Sequence, residues 1–283
     1  MEVWPKRIMD IWFTEKQSPN MKLSLRIKNI LLNKTTEFQD ILVVETEEYG
    51  KIMVLDGAIQ ITEKDEFCYH EMMAHIPICA HSHPRRVLII GGGDGGVLRE
   101  CLKHPFIEEA ILVDIDSEVV QASRDYFPHV SSGMNDPRAT ILNMDALTFI
   151  REHKHEFDIV IVDSTDPVDF AAGLFQSPFY TDVFEALRSE GIMIAQTESP
   201  FAEASLLKQA YKEMEKVFPI VSLCWGAMPT YPTGFWTYTV GSKTVTPEEP
   251  RNPAPLDCKY YTSRIHSNSF VLPPFLEALI ELK

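Results

Sequence analysis

The chain has 283 residues, 45% of them hydrophobic, and carries 26 Lys and Arg against 41 Asp and Glu, a formal net charge of −15. That length supports one sizeable core, or a core with a small satellite domain. The acidic balance disfavours nucleic acid and anionic membrane as partners, since both need a basic footprint, and no apolar run approaches bilayer-spanning length. A cationic small molecule is compatible with the charge, which by itself is more simply explained by solubility.

The opening residues, Met1 to Arg7, lack a basic-then-apolar signal pattern, so a soluble cytoplasmic protein is expected. The five cysteines (Cys68, Cys79, Cys101, Cys224 and Cys258) are odd in number and widely spaced. They suggest neither a zinc site nor a disulfide framework, and are read as free thiols.

In chain order, Ile41–Val44, Lys51–Leu55 and Ala58–Thr62 read as short strands of a meander, with a turn at Asp56-Gly57. From Asp65 to about Ala80, Phe67, Met72, Met73 and Ile76 recur at near-helical spacing and predict a helix. From residue 86 the pattern becomes strand–helix–strand–helix. Apolar strands are expected at Val87–Ile90, Ala110–Val113, Ala139–Leu142, Ile159–Val162 and Gly191–Ala195. Apolar strands alternating with helices mean a parallel sheet covered on both faces. Strand-like runs follow at Ile220–Trp225 and Phe235–Val240, then a Pro-rich surface loop at Thr246–Pro255 and a short helix after Pro274.

Three motifs carry chemistry. Gly91-Gly92-Gly93-Asp94-Gly95-Gly96 follows the first buried strand and opens a helix, and the next strand ends in Asp114-Ile115-Asp116. Glycines let a ligand lie against the backbone, and an acid at the second strand end can hold ribose hydroxyls, so a nucleoside-containing ligand is indicated. Asp94 stands where a dinucleotide would place its pyrophosphate, which favours a positively charged S-adenosyl compound over a dinucleotide. Asp145, after the third strand, reads either as a contact to the adenine or as a solvated loop acid. The fourth strand ends in Asp163-Ser164-Thr165-Asp166-Pro167, two carboxylates at the strand ends where open α/β sheets bind ligands. An acid at the end of a buried strand needs a partner.

Gly91 to Gly96 with Leu98-Arg99-Glu100, and Asp163 to Pro167, resemble the spermidine synthase family of aminopropyltransferases. So do Phe38-Gln39-Asp40-Ile41-Leu42, Leu55-Asp56-Gly57-Ala58-Ile59-Gln60, Asp65 to Met72, Pro229-Thr230-Tyr231-Pro232, Lys259-Tyr260-Tyr261, His266 and Phe270 to Pro273. The resemblance covers nearly the whole chain. It implies a small N-terminal β-strand domain over 1–64 and, over 65–283, a Rossmann-like catalytic domain with the parallel-rich α/β sheet of S-adenosylmethionine-dependent methyltransferases.

The implied reaction moves an aminopropyl group from decarboxylated S-adenosylmethionine to putrescine, giving spermidine and 5'-methylthioadenosine. The donor is a co-substrate, and neither a further cofactor nor a metal is implied. By carry-over, Asp163 is the base. Gln39, His70 and Asp94 hold the donor's aminopropyl end, Asp114 its ribose, and Asp145 with Ala146 the adenine region. Asp166, Tyr69 and Tyr231 bind the acceptor with Asp163, and Trp12 closes over it. A homodimer or homotetramer is implied.

Three departures stand out. Relatives often carry Glu in place of Asp114 and Gly in place of Ala146, and the loop Val168–Gly173 replaces a Gly-Pro-Ala segment. Transfer to agmatine or cadaverine, an S-adenosylmethionine-dependent N-methyltransferase and a non-catalytic nucleoside-binding protein are the alternatives.

Overall fold

A computed structural model of the chain describes residues 10–164 and 173–281. Asp166, most of the loop Val168–Gly173 and the segment Met1–Arg7 lie outside the described residues. The chain divides into two compact units, Met1–Asp65 and Glu66–Lys283.

The N-terminal unit is an antiparallel meander of five strands in sequence order: β1 (Ile11–Ser18), β2 (Met21–Thr35), β3 (Asp40–Thr46), β4 (Lys51–Leu55) and β5 (Ala58–Thr62). Leu25, Val44, Ile52, Val54 and Ile59 form its core. Asp56 and Gly57 join β4 to β5 with φ of 48° and 85°. Positive φ at both positions is the two-residue hairpin turn whose twist matches its strands, which is why an Asp-Gly pair stands there.

The second unit opens with α1 (Glu66–Ala80), in which every residue except Phe67 is buried. Its charged residues therefore need internal partners. Glu71 accepts hydrogen bonds from the backbone N–H groups of Lys259, Tyr260 and Tyr261 at 2.7–2.8 Å, stitching that distant motif to the helix. The carbonyls at the helix end are capped by the Pro-rich segment. Arg251 N and Asn252 N donate to Cys79 O, and the Asn252 side chain donates to Ile78 O and His81 O. The surface loop read from sequence thus also has a capping role.

A seven-stranded sheet follows. Its elements are β6 (Arg86–Gly91), α2 (Gly96–Leu102), β7 (Glu109–Asp114), α3 (Ser117–Tyr126), β8 (Ala139–Asn143), α4 (Ala146–Glu152), β9 (Phe157–Asp163), α5 (Ser177–Ala186), β10 (Leu187–Gln196), α6 (Ala204–Glu215), β11 (Ile220–Ala227) and β12 (Phe235–Ser242), with α7 (Ser263–Ser269) and α8 (Pro274–Ile280) at the end. The strand order is β11-β12-β10-β9-β6-β7-β8. All neighbours from β10 to β8 pair in parallel, and β12 runs antiparallel to both β10 and β11.

The central strands are apolar on both faces because both are covered. Val87 and Ile89 of β6 pack on the side of α1 and α2, while Leu88 and Ile90 pack on the side of α5. The chain builds β6, β7 and β8 outward in one direction, then returns to lay β9 against the other side of β6. This reversal opens a crevice at the carboxyl ends of β6 and β9, where such sheets bind ligands. Gly91 and Asp163 are register partners at that point. All five cysteines are free thiols. No helix among the described residues is long and apolar enough to cross a membrane.

Candidate active site

The glycine-rich turn bends sharply at the end of β6, with φ of 77° at Gly91, 67° at Gly92 and 80° at Gly95. These values are open to glycine and strained for other residues. Close approach matters as much as conformation. A Cβ on Gly92 would sit 2.7 Å from Asp163 Oδ2, one on Gly93 2.7 Å from Asp114 Oδ2, and one on Gly96 would run into the His70 ring. The glycines therefore let Asp163, Asp114 and His70 close around the turn that carries Asp94.

Asp163 ends β9. Its backbone carbonyl accepts from Gly92 N at 2.8 Å, and its Oδ1 accepts from the Tyr69 hydroxyl at 2.6 Å. Its Oδ2 is buried, and no described group hydrogen-bonds it. Burial first, then the neighbouring Asp94 and Asp114 carboxylates, push the Asp163 carboxyl up to about 7, while His70 and the Tyr69 hydrogen bond hold it down. A carboxylate poised near neutral pH with one free oxygen can accept a proton from a bound ligand.

Asp114 ends β7 and is pinned by the backbone. Its Oδ2 accepts from Gly93 N and its Oδ1 from Asp116 N, both at 2.9 Å. Burial raises it to about 6, against the pull of those two bonds. Asp94 Oδ1 accepts from Gly96 N at 2.6 Å. His70 is fully buried on α1. Its Nδ1 lies 2.6 Å from Glu66 Oε2, and its Nε2 lies 3.2 Å from Asp94 Oδ1, off the hydrogen-bonding direction. Burial would lower the imidazole, but the two carboxylates outweigh it and raise it to about 10.

Aromatic rings line the neighbouring wall. The Tyr69 ring lies 5.5 Å from Tyr231 and 5.9 Å from Tyr238, and Tyr231 meets Trp236 edge-on at 4.7 Å. The Tyr238 hydroxyl and Trp236 Nε1 are buried and hydrogen-bonded to no described group.

The crevice thus gathers Tyr69, His70, Asp94, Asp114, Asp163 and Tyr231. Asp145 is exposed at the N-terminus of α4, where its Oδ1 accepts from Leu147 N at 2.9 Å and its Oδ2 from the Thr148 hydroxyl at 2.8 Å. It is a helix cap, beside Ala146, rather than an unengaged loop acid. Gln39 and Trp12 belong to the N-terminal unit. Gln39 follows β2, its N–H donating to Thr36 Oγ1 at 3.1 Å. Trp12 is exposed on β1, opposite Arg26. Asp166 lies outside the described residues.

Sequence reasoning missed two groups. One is Glu66, the partner of His70, which sits one helical turn before it and so was legible as an i,i+4 pair. The other is Glu198, a buried acid with φ of 71°. It follows the carboxyl end of β10, and nearby the Gln196 side chain donates to Ser164 O at 3.1 Å.

Two family models divide the chain along these lines. The one described as spermidine synthase tetramerisation domain matches residues 11–63, and the one described as spermine/spermidine synthase domain matches residues 66–251. The chain belongs to the spermine/spermidine synthase family.

Relatives of this family match over nearly full length. The polyamine aminopropyltransferase of Caldicellulosiruptor saccharolyticus is 45% identical over 275 residues, covering 96% of this chain and 99% of its own. Two solved spermidine synthases superpose on the entire chain. One, in complex with the transition-state analogue AdoDATO, gives a TM-score of 0.95 at 39% identity over 98% of its length. The other, from Thermotoga maritima, gives 0.92 at 38% identity, also over 98%. The expected family and fold class are therefore those found.

A second, mostly buried cluster lies behind Arg99. His75, Glu100 and Cys258 bring ligand-type atoms within 4.8 Å of one another. Lys103 Nζ stands 2.9 Å from Glu100 Oε2 and Arg99 Nε 2.8 Å from Glu100 Oε1, so side-chain cations already balance that carboxylate.

Proposed function

We propose that the chain is an aminopropyltransferase that moves the aminopropyl group of decarboxylated S-adenosylmethionine to putrescine, giving spermidine and 5'-methylthioadenosine. The observation that carries this reading is the convergence of Asp94, Asp114 and Asp163 around one glycine turn, with the buried Asp163 Oδ2 hydrogen-bonded to no described group. Such a pocket suits a sulfonium compound and an amine. Membership of the family, and its relatives' names as polyamine aminopropyltransferase and spermidine synthase, support the choice of reaction.

In this reading Asp94 holds the donor's ammonium, with His70 and Gln39 at the same end. Asp114 holds the ribose, and Asp145 and Ala146 lie toward the adenine. Tyr69, Tyr231, Asp166 and Trp12 receive the acceptor, the tyrosine faces favouring its cationic end. A free alkylammonium has a pKa of about 10.4, so the attacking nitrogen must lose a proton at neutral pH. Asp163 accepts that proton through Oδ2, while Tyr69 fixes the carboxylate through Oδ1. The nitrogen lone pair forms a bond to the methylene carbon beside sulfur. The carbon–sulfur bond breaks toward sulfur, which leaves as the thioether of 5'-methylthioadenosine. Alignment of nitrogen, carbon and sulfur supplies much of the acceleration.

A donor that kept its carboxylate would bring a negative charge against Asp94. Calorimetric titration tests this directly: the decarboxylated donor should bind at least tenfold more tightly than S-adenosylmethionine. Equal affinities would favour the methyltransferase alternative. We place the protein in the cytoplasm, as a homodimer or homotetramer; the match of residues 11–63 to a model described as a tetramerisation domain supports an oligomer.

A further inference from the structure

We propose that Glu66 is a positioning residue for the transfer reaction: acting through His70, it supplies the counter-charge that the Asp94 and Asp163 carboxylates need to face one another. The inference rests on the reading of Asp163 as the base.

The geometry is a charge chain running from α2 to the crevice. Arg99 grips Glu66 through both terminal nitrogens, Nη2 at 2.8 Å and Nη1 at 3.2 Å. Glu66 Oε2 lies 2.6 Å from His70 Nδ1 one helical turn along α1. His70 Nε2 faces Asp94 Oδ1 at 3.2 Å. Gly96 packs against the ring so closely that there is no room for a Cβ between them.

A neutral imidazole carries one N–H. With carboxylates at both nitrogens, the neutral ring would aim a lone pair at one of them. Two carboxylates beside one buried ring favour the imidazolium, and its upward displacement to about 10 with the lowering of Glu66 to about 2 agrees. As an imidazolium it has no lone pair for the donor's ammonium and acts on the donor through Asp94, whose Oδ1 accepts from Gly96 N and lies 3.2 Å from Nε2.

The consequence reaches Asp163. The groups that face it are Tyr69 and His70 from α1, Asp94 from the glycine turn and Asp114 from β7. Cys101 of α2 and Tyr238 of β12 also feel its charge. Of these, His70 is the cation. Remove its charge and Asp163 is left with Asp94 and Asp114, so its carboxyl rises.

Glu66 itself is an anion. If it acted on Asp163 directly, its removal would lower the Asp163 carboxyl. If it acts through His70, removal raises it. The two roles have opposite signs.

The test is the intact enzyme with Glu66→Gln, followed by nitrogen-15 NMR of His70 and carbon-13 NMR of the Asp163 carboxyl. We expect His70 to titrate at lower pH and Asp163 to move up by about 1 pH unit. The acid limb of the kcat/KM profile should move with it. His70→Gln should raise the Asp163 carboxyl likewise, and adding Glu66→Gln to it should raise it no further. His70 still protonated at pH 8 in Glu66→Gln, or an Asp163 carboxyl that stays or falls, overturns the proposal. Should Glu66→Gln not fold, His70→Gln decides alone, an unmoved Asp163 counting against it. The base assignment is tested separately by turnover of Asp163→Asn, which leaves the NMR result standing in either case.

Discussion

Replacing Asp163 by Asn should make the protein more stable and nearly inactive at once. The side chain keeps its shape, and the Tyr69 hydroxyl at 2.6 Å can still donate to the remaining carbonyl oxygen. What is lost is the ability to accept a proton, a contribution of about 10²–10⁴-fold in rate.

Stability changes the other way. In the folded protein the carboxyl is displaced from its ordinary 3.8 to about 7, led by burial and then by Asp94. A carboxyl raised on folding destabilises the folded state when ionised. At 1.36 kcal/mol per pH unit the cost is on the order of 4 kcal/mol above pH 7. It shrinks as pH falls and is lost below the ordinary value of 3.8, where the unfolded chain also holds the proton. Asn carries no such cost.

Denaturant unfolding of both proteins at pH 8 and pH 5.5 is the assay. The variant should gain several kcal/mol at pH 8 and about half as much at pH 5.5. Its donor affinity should persist while transfer falls at least a hundredfold. A variant that is no more stable at pH 8, or that turns over at the parent rate, would refute the reasoning about this carboxylate.

Three further outcomes follow from neighbouring contacts. Tyr69→Phe removes the bond that holds Asp163 down, so the acid limb of kcat/KM should move up by about 1 pH unit; an unmoved limb would show that the bond does not tune the base. Gly96→Ala drives a methyl into the His70 ring, and should lower unfolding free energy by about 1–3 kcal/mol and weaken donor binding; calorimetry would detect either failure. Glu71→Gln weakens the charge-assisted acceptance of the Lys259, Tyr260 and Tyr261 N–H groups, and should cost about 1.5–3 kcal/mol in stability with little change in kcat.

Much of this architecture was legible because the period of the apolar residues is itself the packing. Val87 to Ile90 reads as an unbroken apolar run since both faces of β6 are covered, and the Asp56-Gly57 turn is set by its two positive φ angles. Strands β1 and β2 went unread although the signal is present. Leu23, Leu25 and Ile27 alternate with Lys22, Ser24 and Arg26, but exposed Ile11, Trp12 and Ile30 blur the polar face. The direction of β12 could not be read, because an apolar strand looks alike in either sense.

In the crevice, Asp94, Asp114 and Asp163 were found by their places at strand ends and in the glycine turn. The upward displacement of the His70 imidazole was not, since it depends on Glu66, Arg99 and Asp94 meeting in space. Asp145 was open between two readings, and the cap bonds to Leu147 and Thr148 are a local feature that sequence spacing allows but does not select.

The central claim is the reaction. Incubating the protein with decarboxylated S-adenosylmethionine and, separately, putrescine, agmatine and cadaverine, then weighing the products, addresses it most directly. Putrescine should give spermidine with an equal amount of 5'-methylthioadenosine, at a higher kcat/KM than the other two amines. No aminopropylated product from any amine, or a methylated amine formed from S-adenosylmethionine instead, would contradict the account.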